Sequence, residues 1–196
     1  MQSKSKSQAD LEILLFESPE NWAAWLEQNH STSTGLRLRF AKKAAKLHSI
    51  SYAEALELAL CYGWIDGQKK SYDEVSFLQK FTPRRPRSMW SKRNIEHITR
   101  LTEQGLMTPA GLSQVEQAQQ DGRWEAAYDT PSNMAVPDEF LTELKQHPVA
   151  ETFFATLNKT NKYAIAWRLQ TAKTESTRQR RQAKIIALLN AEQKLQ

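Results

Sequence analysis

The sequence predicts an α+β fold that is mostly helical: a small antiparallel sheet at about residues 36–81, helices around it, and an all-helical C-terminal bundle. Three observations predict it. Leu36, Leu38 and Phe40 alternate with Arg37 and Arg39, which is the two-residue period of a half-buried strand. The stretch from Trp64 to Phe81 returns to that period. Beyond residue 137, prolines and cap residues punctuate apolar runs of helical spacing and no strand signal recurs.

The elements follow in order. Residues 1–9 are rich in Lys, Ser and Gln with no apolar core, and read as a disordered leader. Ser18-Pro19-Glu20 starts a helix, with Ser as N-cap, Pro at the first helical position and an acid against the helix dipole. Trp22, Trp25 and Leu26 share its apolar face, and Gly35 stops the unit. Ser51-Tyr52-Ala53-Glu54 is a capping box, in which Ser and Glu satisfy each other's free backbone donors. The helix it opens turns Ala55, Leu56, Ala59 and Leu60 inward and ends at Gly63.

Two strands, about 64–71 and 75–81, are then joined by Tyr72-Asp73-Glu74, with Val75, Phe77 and Phe81 on one face and Gln79 interrupting it. Asp66-Gly67 is a competing turn signal. The two prolines of residues 82–87 argue against regular structure there. A helix from Ser88 or Ser91 uses Ile95, Ile98 and Leu101 and closes at Gly105. Thr108-Pro109 opens another, with Leu112, Val115 and Ala118 as its core face, ended by Asp121-Gly122. Residues 129–137 form the linker. After it, Pro137, Pro148 and Asn161 punctuate three short helices, with Phe140, Leu144, Phe153, Leu157, Tyr163 and Trp167 as core candidates, and Thr174 caps a last helix through Ile185, Ile186 and Leu189. This divides the chain into the leader, an α+β domain over residues 10–128 holding the GWIDGQKK and FTPRRPRSMWSK motifs, and a helical segment over 137–196 packed on it.

Composition bounds the function. With 40% hydrophobic and 25% charged residues the chain is ordinary globular material. It contains no apolar run of the ~20 residues that span a membrane, and its first ten residues are not a secretory signal, so a soluble, cytoplasmic protein is expected. Cys61, the only cysteine, excludes an internal disulfide and a cysteine-built zinc site. The net charge of +5 is unevenly spread: residues 61–100 carry +5 and 149–196 carry +6, while 101–148 carry −6. The basic segments either attract the acidic one or converge on an anionic ligand.

Four blocks in fixed order are distinctive: Gly63–Lys70, Phe81–Lys92, Gly105–Gly111 and Asp121–Trp124. Together they make the chain resemble the YdeI/OmpD-associated family, often labelled bacteriocin-protection proteins, and the likeness extends to the Thr177–Arg181 segment of the tail. The resemblance implies a soluble bacterial factor for tolerance of bacteriocins or cationic antimicrobial peptides. It carries over no catalytic residue and no cofactor. A basic protein repels cationic peptides, so protection is expected to be indirect, through regulation or stress physiology.

From Ser76 to Ile95 six basic residues, Lys80, Arg84, Arg85, Arg87, Lys92 and Arg93, occur with no acidic one. A proline-stiffened loop before a helix can present such side chains to phosphate or carboxylate. With Lys69 and Lys70 brought alongside by the hairpin, Arg84, Arg85, Arg87, Lys92 and Arg93 form the candidate anion site. The plain alternative is a solvated loop paired with carboxylates of residues 101–148. Trp64 and Trp90 are candidates for stacking on a ligand ring, against a core role. Asp66 is a candidate polar site residue, against a turn aspartate bonded to its own backbone. His30, His48, His97 and His147 lack metal-ligand spacing, and Cys61 on a helix of Ala and Leu reads as core. The partners implied are an anionic ligand, nucleic acid or an acidic protein surface. Nucleic-acid or nucleotide binding is thus the alternative function, although no helix-turn-helix, zinc-finger or RNA-binding signature is present. An enzyme acting on an anionic small molecule, with Asp66 as acid or base, has the least support.

Overall fold

A computed structural model describes residues 11–43, 45–129 and 133–195. The expected leader at 1–9 lies outside the described residues, as do residues 130–132 of the expected linker. The elements are β1 (Ile13–Leu14), α1 (Pro19–Asn29), β2 (Leu36–Ala41), α2 (Tyr52–Cys61), β3 (Trp64–Ser71), β4 (Ser76–Pro83), α3 (Lys92–Glu103), α4 (Pro109–Gln120), α5 (Asp138–Leu144), α6 (Pro148–Thr156), α7 (Lys159–Gln170) and α8 (Glu175–Asn190). The α+β class therefore holds. Two compact units divide the chain: one runs to residue 89 and resumes over 94–125, the other comprises 90–93 and 126–196.

The first unit is built on a four-stranded sheet of order β1-β2-β4-β3. It is mixed, a correction to the antiparallel expectation: β2 and β3 flank β4 antiparallel, but β1 joins β2 in parallel through Ile13 and Leu14. Two residues are too short to leave a periodic signal. The pairing sets the faces. Leu36, Leu38 and Phe40 lie opposite Phe81, Gln79 and Phe77, so these six side chains share the inner face. Phe40 stacks on Phe77 at 5.3 Å between centroids, and α1 reaches the same layer through Trp22, whose ring is 5.9 Å from Phe81. Trp22 Nε1 donates to the Ala55 carbonyl of α2 at 3.1 Å, which fastens the two helices together. Ring pairs of this kind contribute about 0.5–1.5 kcal/mol beyond the area they bury.

The caps explain the helix starts. Ser18 accepts from the Asn21 N–H, and Ser51 and Glu54 form both halves of the capping box. Gly63 ends α2 at φ +72°, a conformation that costs glycine little. Several expectations need correction. Val75 is 42% exposed and precedes β4. β4 runs to Pro83, opposite Trp64, because a proline at a strand's end removes only a terminal donor. Asp66-Gly67 does not turn the chain; the ladder slips there, giving an irregularity between Asp66 and Lys69 inside β3. On α4 the buried residues are Gly111 and Ala118, whereas Leu112 is 42% exposed.

The second unit packs α5–α8 around Phe140, Leu144, Ala150, Leu157, Ile165, Leu169, Ile185, Ile186 and Leu189. Phe153 is half-buried against this core, and Tyr163 and Trp167 are also half-buried. The boundary before α7 falls at Asn158, whose Oδ1 accepts from the Asn161 N–H at 2.9 Å, so Asn161 sits in the first turn instead of marking the break. Thr174 caps α8 as expected. Residues 90–93 join this unit through a parallel bridge between Ser91 and Tyr128, flanked by the bonds Tyr128 N–H to Trp90 O and Lys92 N–H to Tyr128 O.

Candidate functional site

The hairpin of β3 and β4 decides which basic residues meet. Trp64 pairs with Pro83, and the Arg84 N–H donates to the Gly63 carbonyl at 3.1 Å, so the 84–87 loop leaves beside the start of β3. Lys69 and Lys70 lie opposite Gln79 and Leu78, five and six residues back along β4 from Arg84. At about 3.4 Å per residue that is roughly 17–20 Å. The lysines are therefore not brought to the loop. Lys69 instead places its ammonium 4.0 Å over the Phe77 ring.

Arg84 departs from the expectation of an exposed site arginine. It is only 6% exposed, and its Nη1 donates to the Met89 carbonyl at 3.3 Å. Arg85 and Arg87 are exposed on a turn closed by Ser88, which accepts from the Arg85 N–H at 3.1 Å and donates its own N–H to Arg85 O. A further arginine supports that turn: Arg123, held by Asp121 at 2.7 Å, donates from Nη1 to the Ser88 carbonyl. Lys92 and Arg93 belong to the second unit, where Lys92 forms an ion pair with Asp129 at 2.7 Å.

The aromatic candidates are core residues. Trp64 is 1% exposed, donates from Nε1 to the His30 carbonyl at 3.0 Å and meets Trp25 edge-on. Trp90 is 1% exposed as well. Neither offers a face to a ligand. Asp66 is a strand residue whose Oδ2 accepts from the Tyr52 hydroxyl at 2.8 Å. Burial pushes the Cys61 thiol up to about 11, which leaves it protonated and inert near neutrality. Glu57 binds both His97 and Arg100 and so ties α2 to α3. Among the described residues no group of three or more His, Cys, Asp or Glu side chains is placed to hold a metal. In the tail, Arg178 is paired with Glu139 and Glu175, and Arg181 donates to the Arg168 carbonyl.

A basic set that sequence reasoning missed lies on the outer face of the sheet. Arg37 is directly opposite Lys80, and Arg39, Leu78 and Lys70 form the adjacent row. Arg39 is satisfied, since it bonds Asp73 at 2.8 Å and Ser76 Oγ at 2.9 Å and lies over the Tyr72 ring. Arg37, Lys80 and Lys70 have no ion pair among the described residues, and Arg37 Nη1 is buried with no hydrogen-bond partner. The alternation of residues 36–40 already put Arg37 on a wet face; the register that sets Lys80 against it was not readable. The arrangement can hold an oxyanion by charge and by guanidinium hydrogen bonds.

No curated protein and no solved structure matches the chain. No helix among the described residues is long and apolar enough to cross a membrane. Residues 133–192 match the family described as bacteriocin-protection, YdeI or OmpD-associated, which bears out the resemblance for the C-terminal part alone. Three of the four blocks that suggested it lie instead within residues 14–114, and the fourth lies between the two matches. Residues 14–114, just over half the chain, match a domain of unknown function (DUF8412), so the chain belongs to that family and carries a YdeI/OmpD-associated segment behind it.

Proposed function

We propose that this chain is a cytoplasmic, anion-binding protein that supports bacteriocin tolerance indirectly, and that its outer sheet face grips the phosphate backbone of a nucleic acid. One observation carries the reading: Arg37 and Lys80 are held opposite one another, and a buried Nη1 of Arg37 has no protein partner. Like charges directly across strands are destabilising, and a buried unsatisfied donor costs on the order of 1–3 kcal/mol. An oxyanion beside the two side chains offsets the like-charge cost, and it relieves the second cost where the Arg37 side chain turns Nη1 out to meet it. Burial of Trp64 and Trp90 removes the obvious stacking platforms, which favours contact with the backbone over readout of bases. The exposed Arg85 and Arg87 are a secondary contact on this view. The YdeI/OmpD-associated match supports the tolerance role.

The test is fluorescence anisotropy of a labelled single-stranded oligonucleotide across a salt series. Three phosphate contacts give a slope of about −2 in log K against log salt, from roughly −0.7 per contact. Lys80→Ala is expected to weaken binding and to flatten the slope by about 0.7. Absence of binding at low salt, or an unchanged slope in Arg37→Ala and Lys80→Ala, overturns the proposal.

A further inference from the structure

α3 and α4 leave an open groove of about 460 Å³ within the first unit. Its floor is Ile98, Leu112, Val115 and Trp124, and Glu103 and Glu116 stand on its rim. We infer that this groove is a docking site for a short cationic amphipathic helix.

α4 carries two distinct seams. One seam of this helix, Gly111 and Ala118, is buried, with Gly111 against the Cys61 carbonyl of α2. The groove is lined by Leu112, Val115, Glu116 and Gln119, spaced i, i+3, i+4, i+7. At 100° per residue that is a second seam about a quarter-turn round from the first. Leu112 and Val115 of the second seam are apolar side chains of core type, yet Leu112 is 42% exposed, so the described residues cover the seam only in part. Its seven-residue span at 1.5 Å per residue is about 10 Å, the length over which a docked helix presents its own i, i+3, i+4, i+7 anchors. Such a partner would complete a third helix against the pair.

Charge selects the partner. From Leu101 to Gly122 the chain has three acidic residues and no basic one, within a protein of net charge +5. Glu103 and Glu116 are exposed, and neither forms an ion pair among the described residues; Glu116 Oε1 accepts only a hydrogen bond from Gln120. Apolar anchors flanked by Lys or Arg therefore complement both the floor and the rim. The overall positive charge opposes such a peptide elsewhere on the surface, so binding is confined to this groove and is separate from the indirect tolerance role proposed above.

The experiment uses the full chain and two labelled 14-residue peptides of equal positive charge. One is a Leu/Lys amphipathic helix; in the other Ser replaces Leu. Anisotropy is expected to show binding of the Leu/Lys peptide at least tenfold tighter than the Ser/Lys one, and circular dichroism is expected to show it becoming helical on the protein. Leu112→Ser is expected to weaken it about tenfold, and the double variant Glu103→Lys/Glu116→Lys to abolish it, with melting curves confirming that both variants fold. If Leu112→Ser fails to fold, the double surface variant decides alone. Equal affinity for the two peptides, or undiminished affinity in the double variant, overturns the inference. So does a concentration-dependent dimer in sedimentation that Leu112→Ser dissolves, since the groove would then belong to a second copy of the chain.

Discussion

The Cys61 carbonyl lies directly under Gly111, so close that a β-carbon at Gly111 would collide with it. The same oxygen accepts from the Thr108 N–H at 3.2 Å and from Thr108 Oγ1 at 2.6 Å. The end of α2 is thus clamped to the start of α4 by one atom. Gly111→Ala sets two effects against each other. Alanine favours a helix interior by about 1 kcal/mol, whereas overpacking costs typically 1–3 kcal/mol. The collision is with backbone, which cannot rotate away, so the steric cost is expected to win. Urea unfolding of Gly111→Ala should show a net loss of about 1–2 kcal/mol; an unchanged or raised midpoint would show that α4 slides freely on α2.

The arginines of the 84–87 loop are expected to separate on substitution. Arg85→Ala and Arg87→Ala alter exposed side chains and should shift stability by no more than about 0.5 kcal/mol. Arg84→Ala empties a buried position and leaves the Met89 carbonyl without its donor, at a cost of about 1–3 kcal/mol. Thermal melts of the three single variants check this. A loss shared equally among them would count against the buried role of Arg84.

Acid should act on the hairpin tip. The Ser76 hydroxyl, bonded to Asp73 Oδ1 at 2.6 Å, holds the Asp73 carboxyl below the usual aspartate value, with the Val75 N–H and Arg39 adding to it. A carboxyl depressed in the folded state contributes stability above its unfolded value and loses it as the pH falls through the folded one. The window therefore lies below about pH 4. Asp73→Asn should be less stable than the parent at pH 7, and the gap should close as the pH is taken below 3. A gap that persists at pH 2 would assign the effect to side-chain shape instead of charge.

What the sequence disclosed, and what it withheld, divides by range. Ser18, Ser51 with Glu54, Thr108 and Thr174 were all legible as helix starts, because a cap is a contact among residues three apart. The β3–β4 hairpin was legible for the same reason. The parallel partner of β2 was not, since Ile13–Leu14 has meaning only beside Arg37 and Leu38. The basic loop illustrates the limit most directly. A run of arginines reads as surface, but Arg84 follows a strand that delivers it inside, while Lys80, passed over as part of the run, faces Arg37 across the sheet. Leu112 shows the converse: a core-type side chain on α4 that the described residues leave 42% exposed.

β3 is the last strand of the sheet, and from Gly67 to Ser71 every residue is exposed. A bare strand margin of this kind is a template on which a second copy could extend the ladder, chain after chain. Here the ladder irregularity at Gly67 and the adjacent Lys69 and Lys70 spoil the template: the first twists the margin out of line, and the second would stack ammonium upon ammonium in any copy laid alongside. The consequence concerns concentrated solutions and not the fold of one chain. At high concentration this margin stays single, and anything that neutralised the two lysines together would turn it into a seed for fibres.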